Sequence, residues 1–302
     1  METVNYPKVS VIVATYRRDS VLEKALESLA IQTYVNFQLI LVDDNDHDEW
    51  NQKVEKIVCK FKKAYPQIEV VYIQNHPNLG SAKTRNVGIE QANGEYVCFL
   101  DDDDIYLSRR IENQVYPMIA CDADYGVTDL ALYSESEKLI ERRTREYIKD
   151  TSHKALMKYH LLHHITGTDT MMFRRDYLIK IGGFSTIDVG DEFYLMEKAI
   201  KGEGRFLYTP VCDVKAYVHT GDGGLSSGPQ KIEGENNLYR QKASHFDELD
   251  KKSVRHIKMR HHAVLAYAYL RMNNYWKFLT ETLNAFFHSP IALLKLFLGR
   301  NN

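Results

Sequence analysis

Four short apolar runs separated by helical stretches limit this chain to very few folds. KVSVIVA (Lys8 to Ala14), a short β-branched run, reads as a strand buried on both faces, FQLILVDD as a second buried strand, and IEVVYIQN and EYVCFL as a third and a fourth strand. After TYRRDS, an apolar stripe of Val21, Leu22, Ala25, Leu26 and Leu29 has helical spacing, with Ser20 and Glu23 spaced as a capping box. Val54 to Tyr65 and Ser81 to Ala92 read as two more helices, with Gly94 in the turn that follows. Such alternation implies an α/β chain with a doubly wound, mostly parallel, Rossmann-like sheet. In these sheets ligands bind outside the carboxyl ends of the strands. Three polar segments fall there: Thr15-Tyr16, Asp43-Asp44, and Asp101 to Asp104.

The third segment, FLDDDDIYL, places four like charges in a row behind an apolar strand. One reading is a solvated turn. A second is a hard-cation site, since Mg²⁺ and Mn²⁺ take oxygen ligands and a cation relieves the repulsion. A third is a phosphoacceptor pocket, which would leave two-thirds of the chain unexplained. Composition narrows the partners. With 302 residues, 44% of them hydrophobic, the chain can bury a large core, and its formal net charge of -2 argues against a nucleic-acid-coating protein. Cys59, Cys98, Cys121 and Cys212 lie far apart, which suggests reduced thiols and no zinc site or disulfide framework. METVNYPKVS lacks a signal-peptide pattern, and no apolar run approaches the roughly 20 residues needed to span a bilayer. The expectation is a soluble, cytoplasmic protein.

The later chain is less regular. Residues 151–163 and Asp191 to Lys201 read as helices, 169–175 as a strand, and 221–228, GDGGLSSG, as a Gly/Ser-rich loop. From about 253 to 299 the pattern is helical. The divisions drawn are 1–110 for a first half-domain, 111–250 for a second half of the same domain, and 251–302 for a helical appendage.

VSVIVATYRR, LILVDDND and NLGSAKTRNVGIEQANGEYVCFLDDDDIYL resemble the nucleotide-binding half of family 2 glycosyltransferases of the GT-A fold, over residues 8–110. GTDTMMFRRDYLIKIGGF and GDEFYLMEKAI continue the resemblance more loosely. It implies that Thr15 and Tyr16 pack around a nucleotide base and that the acid pair Asp43-Asp44, with Asp44 favoured, accepts from the base ring. It implies that Arg85 contacts the ribose-diphosphate region, that Asp101 and Asp102 touch the ribose, and that Asp103 ligates Mg²⁺ or Mn²⁺. Asp104 is expected to cap the helix that follows. The resemblance also places a general base at the start of a helix, where the acid pair here is Asp191-Glu192. Aligning Leu195 with the family's apolar position puts Glu192 on the base, with Asp191 the alternative. Complementing the helix dipole is the plainer reading of both acids.

His219 is a further metal-ligand candidate by resemblance, and the Gly/Ser-rich loop after it either closes over the diphosphate or is a plain loop. His160, His163, His164, His261 and His262 read as surface residues. The apolar C-terminal stretch reads either as a helical hairpin packed on the catalytic domain or as a last helix, Pro290 to Arg300, lying on a membrane surface at the inner face of the cell membrane. Together these readings describe a metal-dependent inverting glycosyltransferase. Its donor would be a nucleoside-diphosphate sugar, expected to be a UDP-sugar, and its acceptor a glycan or lipid-linked hydroxyl of bacterial surface polysaccharide. The alternatives are a nucleotide-binding scaffold subunit without turnover, or a nucleotidyltransferase. The second is disfavoured because ATYRRDS lacks the glycines of a triphosphate loop.

Overall fold

The computed structural model describes residues 6–187, 189–218 and 228–298. The chain divides into two compact units. The first comprises Met1–Leu156, Ile165–Ile187 and Asp191–Val218; the second comprises Met157–His164, Asp188–Gly190 and His219–Asn302.

In the first unit the elements run β1 (Val9–Thr15), α1 (Ser20–Ala30), β2 (Phe37–Asp43), α2 (Asp48–Ala64), β3 (Glu69–Gln74), α3 (Ser81–Gln91) and β4 (Tyr96–Phe99). They continue with β5 (Ile105–Tyr106), α4 (Arg110–Ala120), β6 (Tyr125–Thr128), β7 (Leu130–Ser134), β8 (Leu139–Arg143) and α5 (His153–His163), which is counted with the second unit from Met157 onward. Then come β9 (Met171–Arg174), α6 (Arg175–Lys180), α7 (Asp191–Lys201), β10 (Phe206–Thr209) and β11 (Val214–Val218).

A seven-stranded sheet has the order β10-β6-β9-β4-β1-β2-β3. Within it β9 runs antiparallel to β4 and β6, while the other pairs are parallel. Val9, Val11, Val13, Leu39 and Leu41 are fully buried, as runs of this kind require when helices cover both faces. Each such side chain contributes about 1.5–3 kcal/mol. α3 lies against β1 through small residues: a Cβ on Gly88 would sit 2.5 Å from Ile12 Cγ2, so glycine sets the closeness of that contact. A four-stranded sheet, β5-β11-β7-β8, is built from segments without a clear strand signature in the sequence.

Two local expectations are corrected. α1 is capped by Asp19, whose carboxylate accepts from Ser20 N at 2.6 Å, and not by a Ser20/Glu23 box; Glu23 instead pairs with Lys60. Asp104 caps no helix: β5 intervenes before α4, and Asp104 Oδ1 accepts from Tyr217 N of β11 at 2.8 Å.

The second unit holds α8 (Gly228–Ala243), α9 (Lys251–Arg271), α10 (Tyr275–His288) and α11 (Pro290–Leu298). The long helical stretch is therefore three helices. Asn273 in a left-handed conformation (φ 55°) ends the first, and Pro290 opens the last. α9 and α10 form a hairpin, with Met259, Ala285 and Leu293 buried together and His262 bonded to Glu281 at 2.6 Å.

The histidines expected at the surface are not there. His160 is buried, and His163, His164, His261 and His262 are half-buried inside the helical unit. The rings of His163 and His256 lie 6.0 Å apart, and Tyr239 stacks on His261 at 4.2 Å. Burial, helped by neighbouring cationic groups, lowers His163 and His261 to about 4 and pushes His164 and His256 down as well.

These imidazoles stay neutral in the fold, while the unfolded chain takes up protons below its ordinary histidine pKa. The stability they allow is therefore complete above about pH 6.5 and is lost as pH falls toward 4. The buried Asp102 and Asp169 carboxyls, pushed up to about 7, act in the opposite sense, so the imidazole part is read against a variant: His163→Gln/His261→Gln is expected to lose less of its thermal midpoint between pH 7 and pH 4.5 than the wild type, by roughly 5–10 °C, as followed by circular dichroism. Equal losses in the two proteins would contradict this reading.

Candidate active site

The carboxyl ends of β1, β2 and β4 and the start of α7 meet in one polar network. At the end of β1, Thr15 Oγ1 donates to Asp102 Oδ2 at 2.7 Å, and Tyr16 N donates to the same oxygen at 3.3 Å. Arg17 then turns the chain with a left-handed backbone (φ 53°), its N–H donating to Asn45 Oδ1 at 2.8 Å. That turn brings Arg18 back over the acids, 2.7 Å from Asp103 Oδ2 and 3.4 Å from Asp102 Oδ1. Burial and the adjacent Asp103 push the Asp102 carboxyl up to about 7. The Tyr16 ring is 43% exposed, with the Arg17 guanidinium over it.

The acid pair after β2 is held by the chain itself. Asp43 accepts from Asn45 N and Nδ2 and from the Tyr72 hydroxyl. Asp44 Oδ1 accepts from Asn75 Nδ2 at 2.8 Å and Leu79 N at 2.9 Å, and its Oδ2 accepts from Gly80 N at 2.9 Å. Asp44 thus fastens the Asn78-Leu79-Gly80 turn, where Gly80 has φ 83° and opens α3.

α3 then projects Arg85 into the site. Its guanidinium donates to Asp191 Oδ2 at 2.5 Å and to Asp101 Oδ1 at 2.6 Å, and lies 5.5 Å from the Phe184 ring. Burial opposes this charge, but Asp191 and Asp101 outweigh it and raise the arginine pKa. Asn86, the next residue, exchanges hydrogen bonds with the backbone of Phe184 at 2.8 and 2.9 Å. One motif thereby ties the β4 acids to the α7 acids. Asp191 is buried, and its second oxygen accepts from Glu192 N at 2.7 Å. Glu192 is half-buried and close enough to act on the charge of Arg85.

Asp169 completes the network, and the sequence reading passed over it. Its Oδ1 accepts from Asp101 N at 2.6 Å, while its backbone oxygen accepts from Arg110 at 2.7 Å. Burial and the Asp101 charge push its carboxyl up to about 7. Arg18 was missed too, although it stands beside the Thr15-Tyr16 segment in TYRRDS.

Carboxylate oxygens of Asp101, Asp104 and Asp169 lie within 4.8 Å of one another, and Asp102 and Asp103 are already paired with a guanidinium. The donors are hard oxygens and the site needs positive charge, so these residues fit a divalent ion of the Mg²⁺ or Mn²⁺ kind. His219 and the loop of residues 219–227 lie outside the described residues.

Glycosyl transferase family 2 matches residues 10–182 of the chain. An uncharacterized glycosyltransferase of Methanocaldococcus jannaschii is 32% identical over 177 residues, 58% of this chain and 58% of that protein. GalNAc(5)-diNAcBac-PP-undecaprenol beta-1,3-glucosyltransferase of Campylobacter jejuni is 39% identical over 102 residues, 34% of this chain and 31% of that protein. These matches span less than two-thirds of either relative. Among solved structures, S. aureus TarS 1-349 in complex with UDP-GlcNAc superposes with a TM-score of 0.58 at 17% identity, over 97% of this chain and 92% of that one. The mannosyltransferase PcManGT of Pyrobaculum calidifontis, in complex with GDP-Man and Mn²⁺, gives 0.60 at 19% identity, over 99% and 81%. With its acids gathered at the strand ends of a GT-A sheet, the chain belongs to glycosyl transferase family 2.

Proposed function

We propose that the protein transfers a sugar, with inversion, from a nucleoside-diphosphate sugar to a hydroxyl of a glycan or lipid-linked acceptor. The observation that carries this is the Arg85 bridge, which joins the acids after β4 to the acid pair opening α7. Donor-side acids and a candidate base are thereby built into one network.

The exposed Tyr16 ring and the Thr15 backbone offer a platform for the base. Asp44 acts by shaping the turn beneath it and Arg85 by positioning the acids on both sides. Asp101, Asp102 and Asp103 face the ribose and diphosphate. Asp103 becomes the ion ligand by giving up its pairing with Arg18, and the oxygens of Asp101, Asp104 and Asp169, within 4.8 Å of one another, form a second set that could hold the ion. When bound, a divalent ion supplies charge neutralisation at the leaving diphosphate. Glu192 takes the proton from the acceptor hydroxyl, because Asp191 has both oxygens engaged by Arg85 and by the Glu192 N–H. A single displacement from the face opposite the diphosphate inverts the anomeric centre.

UDP is the favoured nucleotide, supported by the UDP-GlcNAc complex of TarS and by the UDP-Glc-dependent name of an Escherichia coli relative 31% identical over 135 residues. Diphosphoundecaprenol in the names of the E. coli and C. jejuni relatives supports a lipid-linked acceptor. Such an acceptor would put the protein at the inner membrane face, with α11 as one contact. No helix among the described residues is long and apolar enough to cross a membrane.

Calorimetric titration with UDP, GDP and CDP, with Mn²⁺ and with chelator, tests the donor site. One diphosphate is expected to bind in the metal-dependent arm, and Asp103→Ala to weaken it by roughly 10–100-fold. Absence of nucleotide binding under every condition would remove the transferase reading.

A further inference from the structure

α10 packs on α9 with one side only. Ala285, Glu281 and His288 fall together on that side: Ala285 is buried, Glu281 bonds His262, and His288 stacks on the same imidazole. At about 100° per residue, Tyr275, Trp276, Leu279, Leu283, Phe286 and Phe287 fall within an arc of about 120° on the other side. All six are exposed, Trp276 and Phe287 at 79% each. α11 also exposes Ile291 and Leu294, whereas its Leu293 turns inward against Met259 and Ala285. Scattered exposed apolar residues need no explanation, but six on one face of one helix do.

Its electrostatic setting selects the occupant. Residues 251–298 carry eight lysines and arginines against one acid, Glu281, in a chain whose formal net charge is -2. Lys295 is exposed on α11, and Lys277 is exposed on α10 beyond the edge of the apolar arc, its ammonium 5.0 Å from the Tyr269 ring centroid of α9. A second copy of this segment would meet the face with the same excess of positive charge. An anionic lipid surface offers both complements, hydrocarbon for the aromatic and leucine side chains and negative headgroups for the lysines.

We infer that α10 and α11 form an interfacial platform that seats the helical unit on an anionic lipid surface. The principal contact is the Trp276–Leu283–Phe287 face of α10, which extends the single-helix contact at α11. The inference is tied to the lipid-linked reading of the acceptor, since such an acceptor lies in that surface.

Its test reads binding alone. The full chain is mixed with large unilamellar vesicles of phosphatidylcholine, with or without about one-third phosphatidylglycerol, and floated on a density gradient. Flotation with the anionic vesicles is expected, stronger by roughly tenfold in partition coefficient than with neutral ones and reduced as salt rises. Trp276→Ser/Leu283→Ser/Phe287→Ser alters exposed positions only and is expected to abolish flotation while keeping wild-type helix content. Lys277→Glu/Lys295→Glu is expected to erase the preference for anionic vesicles.

UDP titration of the same variants is expected to match wild type, so loss of the platform and loss of the donor site give different results. Absence of wild-type flotation, or flotation unchanged in the triple variant, would overturn the inference. So would a dimer in sedimentation velocity that the triple variant disperses while vesicles remain unbound.

Discussion

Glu192→Gln is expected to lower turnover roughly thousandfold, within the range associated with removing a general base, and to leave the affinity for the donor's diphosphate within about twofold. Glutamine keeps the volume and the start of α7 but cannot take a proton. Donor affinity is expected to be preserved because the acids proposed to face the diphosphate lie in the turn after β4, outside α7. Asp191→Asn is expected to behave differently. Asp191 is the buried partner of Arg85, so its loss strips a compensating charge and loosens the junction between α3 and α7. Its signature is a lowered unfolding midpoint together with a turnover defect smaller than that of Glu192→Gln. Steady-state kinetics and calorimetry on both variants decide the matter. Near-normal turnover in Glu192→Gln, alongside a dead Asp191→Asn enzyme of normal stability, would move the base to Asp191.

Arg85→Met should be the most destabilising single substitution in the site, by about 3–5 kcal/mol. Removing one partner of a buried pair leaves the other charge without compensation. For a chain of this size that corresponds to a midpoint roughly 10 °C lower. Burial already raises the Asp191 carboxyl and Arg85 opposes that rise, so without the guanidinium Asp191 holds its proton still more tightly in the fold than in the unfolded chain. The folded variant therefore binds more protons above the ordinary carboxylate pKa, and its stability falls further as pH rises. Adding Asp191→Asn to the variant is expected to restore part of the loss, and the pair to be strongly non-additive. Two losses that simply add would show that the bridge does not couple these residues.

The central sheet and the gathering of acids were legible because both follow from short-range pattern. Runs such as VSVIVAT and FQLILVD can be buried on both faces only between helices, and topology then sends every following turn to one edge. What escaped depended on distant geometry. Arg18 reaches Asp103 only because Arg17 adopts a left-handed backbone, which no residue type at that position announces. Asp104 was misread as a cap because β5 has two residues and no pattern of its own. β8, LIERR, is exposed at every position and carries no alternation of burial to mark it. The histidines were misplaced for a related reason. Neighbours on a helix diverge, and only packing with Tyr239 and His256 shows that they point inward.

The reversed direction of β9 has a consequence for how specificity can change. β6 ends at the same sheet edge from which β9 begins, with Val127 paired to Met171. Residues 129–168, carrying β7, β8 and α5, therefore leave from and return to that one edge. Both anchors are clamped by the ladder, but β7 is also paired with β11, whose Tyr217 N–H donates to Asp104, so changes in β7 reach the acids. β8 is the exposed edge strand, and length changes there are expected to leave the register of β6 and β9, and with it Asp169, in place.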